Sequence, residues 1–404
     1  MKRKLWNRDY VLLLQGSVVS TIGDLMYSVA IGYWVYEKTG SSALMGVMSA
    51  ISMFVTMFFA PFMGSVVDKC NRKWVLVGVD LIQAASMISV GVLAHFGELS
   101  VPVVLLAALL AAFGSVFYSP AAETLMLDII PHDDMVRGQS VFSSCHALVN
   151  TIGSSLSGVM VAFFGVPLIV IFNGLSNAYS ALSEAFVRVP KTVQQGEKIT
   201  VRGILRDSRS AIGTVFSDPC LRLFVPFALI INLLSAGQFS LMLPFTMQKG
   251  FSVEEYGYLM AIWTAASLAC VMLLGTVKLS PRVRFGTMAI GFSASEIFLI
   301  LAYLSENIIL TCACAFLGAF MNTAGNSVFN ASLMLALPEE NRGAILGFIS
   351  AASVGGSAIS SLIYGFLGDI FPLYLVFLVG SALSILPMCY LSFHPKTKKF
   401  VLEH

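Results

Sequence analysis

The sequence predicts an all-α integral membrane protein, with twelve transmembrane helices in two pseudo-symmetric six-helix bundles and both termini cytoplasmic. Three observations predict it: the scarcity of charge, the spacing of the apolar runs, and the placement of basic residues between them. Only 11% of the 404 residues are charged, 57% are hydrophobic, and the mean hydropathy is +0.84. Soluble proteins carry about 25% charged residues, so the bilayer is the solvent that suits this chain. A formal net charge of +2 is too small to indicate a nucleic-acid partner. The seven cysteines lie mostly inside apolar runs and read as small core residues, with no disulfide framework, metal site or cofactor expected.

A helical crossing needs about 20 apolar residues. The first run, 10–36, follows the basic stretch MKRKLWNRD and ends without an Ala-x-Ala cleavage pattern, so it is expected to stay in the membrane. The second, 43–67, stops at the cluster Lys69, Arg72 and Lys73, after which come 74–95 and 101–129. The fifth and sixth, 138–164 and 167–187, meet near Pro167 and lead into 188–220, the only long connection. The second half repeats the plan at 221–247, 255–277, 286–304, 308–336, 344–368 and 372–393. The chain thus divides into an N-terminal bundle (1–187), a linker (188–220), a C-terminal bundle (221–395) and a short tail (396–404). Leu402, Glu403 and His404 read as the remnant of an expression tag. In the linker, Ile199, Val201, Ile204, Leu205, Ile212, Val215 and Phe216 lie largely on one helical face, while Arg202, Arg206 and Arg209 point elsewhere, which predicts an amphipathic helix on the inner leaflet.

Alternate breaks hold 22 of the 24 Lys and Arg residues, and the other set holds only Lys38 and Lys249. Positive charge is retained on the cytoplasmic side, which puts both termini and the linker there. Apart from Arg222, the second residue of the seventh run, no Lys or Arg lies inside a predicted span. The halves also repeat each other. TLML at 124–127 recurs as SLML at 332–335, Arg137-Gly138 as Arg342-Gly343, and Pro167-Leu168 as Pro372-Leu373, at offsets of 205 to 208 residues. Such parallel six-span repeats flank a central site in one large class of secondary transporter.

Between the second and third spans stands GSVVDKCNRK, residues 64–73. It resembles the G-x-x-x-D-[RK]-x-x-R-[RK] loop of the major facilitator superfamily at Gly64, Asp68, Lys69, Arg72 and Lys73, and with the duplication the resemblance covers essentially the whole chain. WVYEKTGSSALMGVMSA, the pair Gly23-Asp24 and YSPA at 118–121 are similar to the bacterial macrolide-efflux and siderophore-export branch. The resemblance implies the major facilitator fold, alternating access and a cytoplasmic latch. Gly64 would let two helices approach, Asp68 would face the amino end of span eleven near Gly343, and Arg72 would pair with Asp128. The basic residues of the loop could instead serve topology alone. The equivalent stretch of the second half, GTVKLSPRVR at 275–284, lacks the aspartate. The span-five run NTIGSSLSG, 150–158, lacks the proline common in drug antiporters of this superfamily, which weakens the case for antiport.

Ionisable groups at lipid depth are candidates for function. Asp24 lies 14 residues beyond Tyr10, about 21 Å along a helix rising 1.5 Å per residue. That is close to the bilayer midplane, with Tyr27 one turn on; the alternative is a neutral acid bonded to a neighbouring helix. Glu123 in span four would be desolvated and could exchange a proton, or serve as a structural hydrogen-bond partner. His146 in span five, with Asn150 one turn later, could join a relay or simply be satisfied in place. Asn322, Asn326 and Asn330 share one face of span ten and could line a cavity. Asn173 and Asn177 repeat the spacing in span six, where packing between helices is the expected role. Glu296 reads as structural or lipid-contacting, and Asp80 and Glu184 as interfacial groups near the cytoplasmic surface.

These features predict a monomeric secondary transporter in the bacterial cytoplasmic membrane. It would export amphipathic neutral or cationic small molecules, drug-like or macrolide-like, in exchange for protons. A lipid or lysolipid flippase and a siderophore or metal exporter are alternatives of the same fold, and a transporter-shaped receptor or scaffold is the alternative from another class. No HExxH, Gly-x-Ser-x-Gly or phosphate-binding Gly-rich motif points to an enzyme.

Overall fold

All regular structure among the described residues is helical. The computed structural model describes residues 5–131, 134–188, 213, 221–277, 280–336 and 342–394. The amphipathic linker helix expected within 188–220 and the tail at 396–404 lie outside them, apart from Arg188 and Gly213.

Helix α1 (Arg8–Thr39) starts where the Asn7 side chain accepts a hydrogen bond from the Tyr10 amide, satisfying one of the free N–H groups of the first turn. It ends at Gly40, whose φ of 65° is a left-handed conformation open to glycine at little cost. α2 (Ser42–Lys69), α3 (Arg72–His95) and α4 (Val101–Ile129) follow. α5 runs from Met135 to Ala185 but is interrupted at Gly165, φ 72° and ψ 163°, two residues before Pro167.

The contacts of α5 with α1 show that the chain reverses at this break. In the first arm, the Gly138 carbonyl accepts from the Tyr10 hydroxyl, His146 meets Ser17, and Gly153 packs on Leu25, so numbers rise together. In the second, Ser176 packs on Gly23, Ser180 on Gly16, and the Arg188 amide donates to Asp9, so they run oppositely. The expected fifth and sixth spans are these two arms. Among the described residues, with α5 taken whole, ten helices are long and apolar enough to cross a membrane, or eleven if the bent pair α6 (Leu221–Ser240) and α7 (Met242–Gln248) is one span. The expected twelve counts the arms of α5 separately.

The remaining helices are α8 (Val253–Thr276), α9 (Pro281–Leu304), α10 (Ile308–Ala336), α11 (Arg342–Ile370) and α12 (Leu373–Phe393). α8 opens with a capping box, Ser252 accepting from the Glu255 amide while the Glu255 carboxylate accepts from the Ser252 amide. α9 opens on Ser280 with Pro281 in its first turn, where a missing N–H costs nothing. Lys249, at the end of α7, donates to the carbonyls of Ala302 and Ser305. Burial pushes its ammonium below the usual lysine range, an effect opposed by nearby Glu306.

The chain forms two compact units. One comprises 1–40 and 51–201, the other 41–50 and 202–404. In the first, α3 lies on the second arm of α5 through two close approaches. A Cβ on Gly91 would stand 2.9 Å from the Ile171 amide nitrogen, and one on Gly174 2.9 Å from that of Ile88. Small residues admit such backbone contact in lipid, where no hydrophobic force draws helices together. The second unit centres on Phe227, Met288, Phe292, Phe329, Ile345 and Met388.

Residues 41–50, at the start of α2, group with the second unit, against a division at the linker alone. Asp369 of α11 accepts from the Ser41 hydroxyl at 2.7 Å, the Ser42 amide at 2.6 Å and the Ala43 amide at 3.1 Å. It thus caps α2 from another helix, supplying the negative charge that a helix amino end favours. Asp369→Ala is expected to cost about 1–2 kcal/mol, the usual loss for a cap. The check is a lowered thermal-unfolding midpoint in detergent, with Asp369→Asn falling between.

Candidate functional site

The candidate site of the first unit grows from one face of the second arm of α5. Asn173, Ser176, Asn177, Ser180, Ser183 and Glu184 follow helical spacing, and all six are buried. Opposite them, α1 presents Gly16, Ser17, Ser20 and Gly23. A Cβ at Gly23 would lie 2.1 Å from Ser176 Oγ and 2.7 Å from Asn173 Oδ1, so only glycine lets the polar face close on α1. This contact sets Asp24, the next residue, beside Asn173 and Asn177. Asn177 Nδ2 donates to both the carbonyl oxygen and Oδ1 of Asn173, at 3.0 and 2.9 Å. The asparagine pair, expected to do no more than join helices, is therefore part of the Asp24 surroundings. Its signal in the sequence is the i, i+4 spacing that it shares with span ten.

Asp24 itself is exposed. Tyr27 lies within electrostatic reach of it, and its ring is buried with the hydroxyl unpartnered among the described residues. His146 sits half-buried between two α1 hydroxyls, with Nε2 3.0 Å from Ser17 Oγ and Nδ1 3.3 Å from Thr21 Oγ1. Asn150 donates to the His146 carbonyl. Glu123 is exposed, so the desolvated surroundings expected for it are not found.

Asp80 and Glu184 correct the sequence reading outright: they are 2% and 0% exposed, where interfacial groups were expected. Asp80 projects from α3 and Glu184 from the second arm of α5, two helices that pack along each other. The Tyr118 hydroxyl of α4 donates to Glu184 Oε1 at 2.8 Å. Glu296 is likewise 2% exposed rather than turned to lipid. It lies beside Ser381 and Tyr303, which meet around Gln238: the Tyr303 hydroxyl donates to Gln238 Oε1 at 3.0 Å, and Gln238 Nε2 donates to Ser381 Oγ at 3.3 Å.

In α10, Asn326 Nδ2 donates to the carbonyl oxygen and Oδ1 of Asn322, at 3.1 and 2.9 Å, the same arrangement as Asn177 on Asn173. Both are half-buried, and Asn330 is exposed. At the end of α4, Asp128 Oδ2 lies 2.5 Å from Arg72 Nη1, with the side chains 23% and 13% exposed. The surroundings of Gly64 and Gly343 and the side chains of Asp68 and Lys69 lie outside the described set, while Lys73 sits over the Trp74 ring at 5.3 Å.

Long apolar helices in two units, a polar seam buried in one of them and an exposed acid halfway along α1 define a multi-pass membrane transporter. A family profile described as Major Facilitator Superfamily matches residues 13–284 and 227–402, and the chain belongs to that family. Macrolide efflux protein A of Streptococcus pyogenes is 24% identical over 186 residues, 46% of each chain, so the chain spans about half the length of this relative. Multidrug efflux pump Tap of Mycolicibacterium fortuitum is 22% identical over 97% of both chains. Among solved structures, the nucleoside transporter NupG aligns over 98% of this chain and 99% of its own, with a TM-score of 0.74 at 14% identity. A bacterial homologue of the iron transporter ferroportin aligns over 96% and 99%, with a TM-score of 0.69 at 15% identity. These structural likenesses speak to the fold.

Proposed function

We propose that this transporter exports amphipathic neutral or cationic small molecules from a bacterial cell across the cytoplasmic membrane, by alternating access in exchange for protons. The observation that carries the reading is Asp24, an exposed carboxyl halfway along α1, beside Asn173, Asn177 and Tyr27, in a chain whose predicted spans hold no Lys or Arg except Arg222 at the very start of the seventh. A carboxylate there attracts a cation or a proton, and the absence of fixed positive charge argues against anionic cargo. The efflux functions named for the macrolide and multidrug relatives support export. Glu123 and His146 are the further proton-handling candidates, and Asn322, Asn326 and Asn330 the polar contacts for substrate. Gly64, Asp68, Lys69, Arg72 and Lys73, with Asp128, form the latch that favours one end state.

The test is uptake of radiolabelled amphiphiles, ethidium and erythromycin among them, into proteoliposomes with an imposed pH gradient. Accumulation that collapses with a protonophore is expected, and accumulation indifferent to the gradient would reject proton exchange. Orientation is checked separately. The distribution of basic residues places reporter fusions after residue 400 on the cytoplasmic side, and fusions at 97–100 and 305–307 outside. A periplasm-active reporter working at residue 200 would overturn this topology.

A further inference from the structure

The reading of Asp24 leaves a second acidic pair of the first unit unused. Asp80 and Glu184 are buried within electrostatic reach of each other. The titratable groups that face the pair are Asp24 from α1 and Tyr118 from α4, with His146 from the first arm of α5 approaching through Ser17. None of these is a lysine or arginine, and Arg72 at the start of α3 is paired with Asp128. Two buried anions without a counter-charge are costly, and a cation held between them removes that cost. A non-acidic group points to the same ligand. Ser180 Oγ, 0% exposed, borders the Asp80 carboxyl as its nearest hydroxyl, and Asp80 Oδ2 and Glu184 Oε2 have no hydrogen-bond partner among the described residues.

The other carboxylate oxygen is wired outward. Glu184 Oε1 accepts from the Tyr118 hydroxyl at 2.8 Å, and Ser17 Oγ lies 3.0 Å from His146 Nε2 on the half-buried side of α5; between these two bonded pairs, Tyr118 and Ser17 are neighbours within electrostatic reach. The Thr21 hydroxyl donates to the Ser17 carbonyl at 2.8 Å, so Nδ1 of His146 donates to Thr21 and Nε2 is the nitrogen left to exchange a proton.

We propose that Asp80 and Glu184 hold one transferable proton, and that Tyr118, Ser17 and His146 carry it between this pair and the accessible side of α5. Starting from the imidazolium, Nε2–H breaks as its proton joins Ser17 Oγ, the Ser17 proton joins the Tyr118 oxygen, and the Tyr118 proton joins Glu184 Oε1. Three bonds to hydrogen break and three form. The imidazole becomes neutral, the carboxylate becomes an acid, and no electrons are exchanged. The relay deepens the proton-exchange reading and rests on it for its use in transport.

Infrared difference spectra of the full-length protein in liposomes, stepped between about pH 8 and about pH 5, read the site without any substrate. A protonated-carboxyl band is expected that Glu184→Gln and Asp80→Asn each remove and Asp24→Asn leaves in place. Tyr118→Phe, which keeps the ring and deletes the hydroxyl, is expected to retain the band and to slow its response to a pH jump about tenfold or more, as is His146→Asn. Spectra of Glu184→Gln and Asp80→Asn that superimpose on the wild type overturn the pair, and an unslowed response in Tyr118→Phe and His146→Asn overturns the relay. Should Glu184→Gln not assemble, Asp80→Asn and Tyr118→Phe decide both points. Loss of the band with gradient-driven transport absent from the wild type would reject proton exchange and keep the site. Coupled transport without the band would do the reverse.

Discussion

Asp24→Asn is expected to abolish gradient-driven accumulation while leaving expression and folding intact. The substitution keeps the size of the side chain and its place beside Asn173 and Asn177, and removes only the ability to carry charge or a proton. Because Asp24 is exposed and an asparagine in its place can still hydrogen-bond to Asn173 and Asn177, the thermal-unfolding midpoint should stay near the wild-type value. Two outcomes separate its possible roles. A proton site loses accumulation of every substrate and keeps exchange at equal pH, whereas a recognition site loses cations and keeps neutral compounds. Glu123→Gln is the comparison, and one coupling site requires that only one of the two changes uncouples transport. Wild-type rates for cationic and neutral compounds in Asp24→Asn, with pH dependence intact, would make the residue structural.

The Arg72–Asp128 pair should show the next largest effect. It is a charge-assisted contact of 2.5 Å between partly buried side chains, which is worth more than an exposed surface pair. Arg72→Ala strands the carboxylate and is expected to cost about 1–3 kcal/mol, the range for an unsatisfied polar group. The double change Arg72→Ala with Asp128→Ala should cost less than the two single changes together, because neither charge is then left alone. Thermal unfolding supplies the cycle, and strict additivity would show that the pair contributes nothing. The latch role predicts a second effect. Single cysteines placed on either side of the membrane should change in labelling rate in Arg72→Ala, and unchanged labelling on both sides would reject it.

Much of this protein was legible in the sequence. The apolar runs gave the helices because a crossing has a fixed length. The loop at 64–73 carried the resemblance to the family, and that resemblance allowed the pairing of Arg72 with Asp128 to be expected. Asp24 stood out because an acid in an apolar helix has few reasons to be there.

Tertiary structure alone decided which face of each helix is inside. In a soluble helix, the apolar stripe marks the buried side. In lipid both sides are apolar, and close packing of small residues, not hydrophobicity, brings helices together. Asp80 and Glu184 therefore look interfacial from their distance along the chain, and only the packing of α1, α3, α4 and α5 around them buries them. Likewise nothing in the sequence around Asp369 announces that its carboxylate caps α2, more than 300 residues away. Span and family follow from local composition, whereas burial, pairing and the proton relay depend on which small residue meets which across two helices.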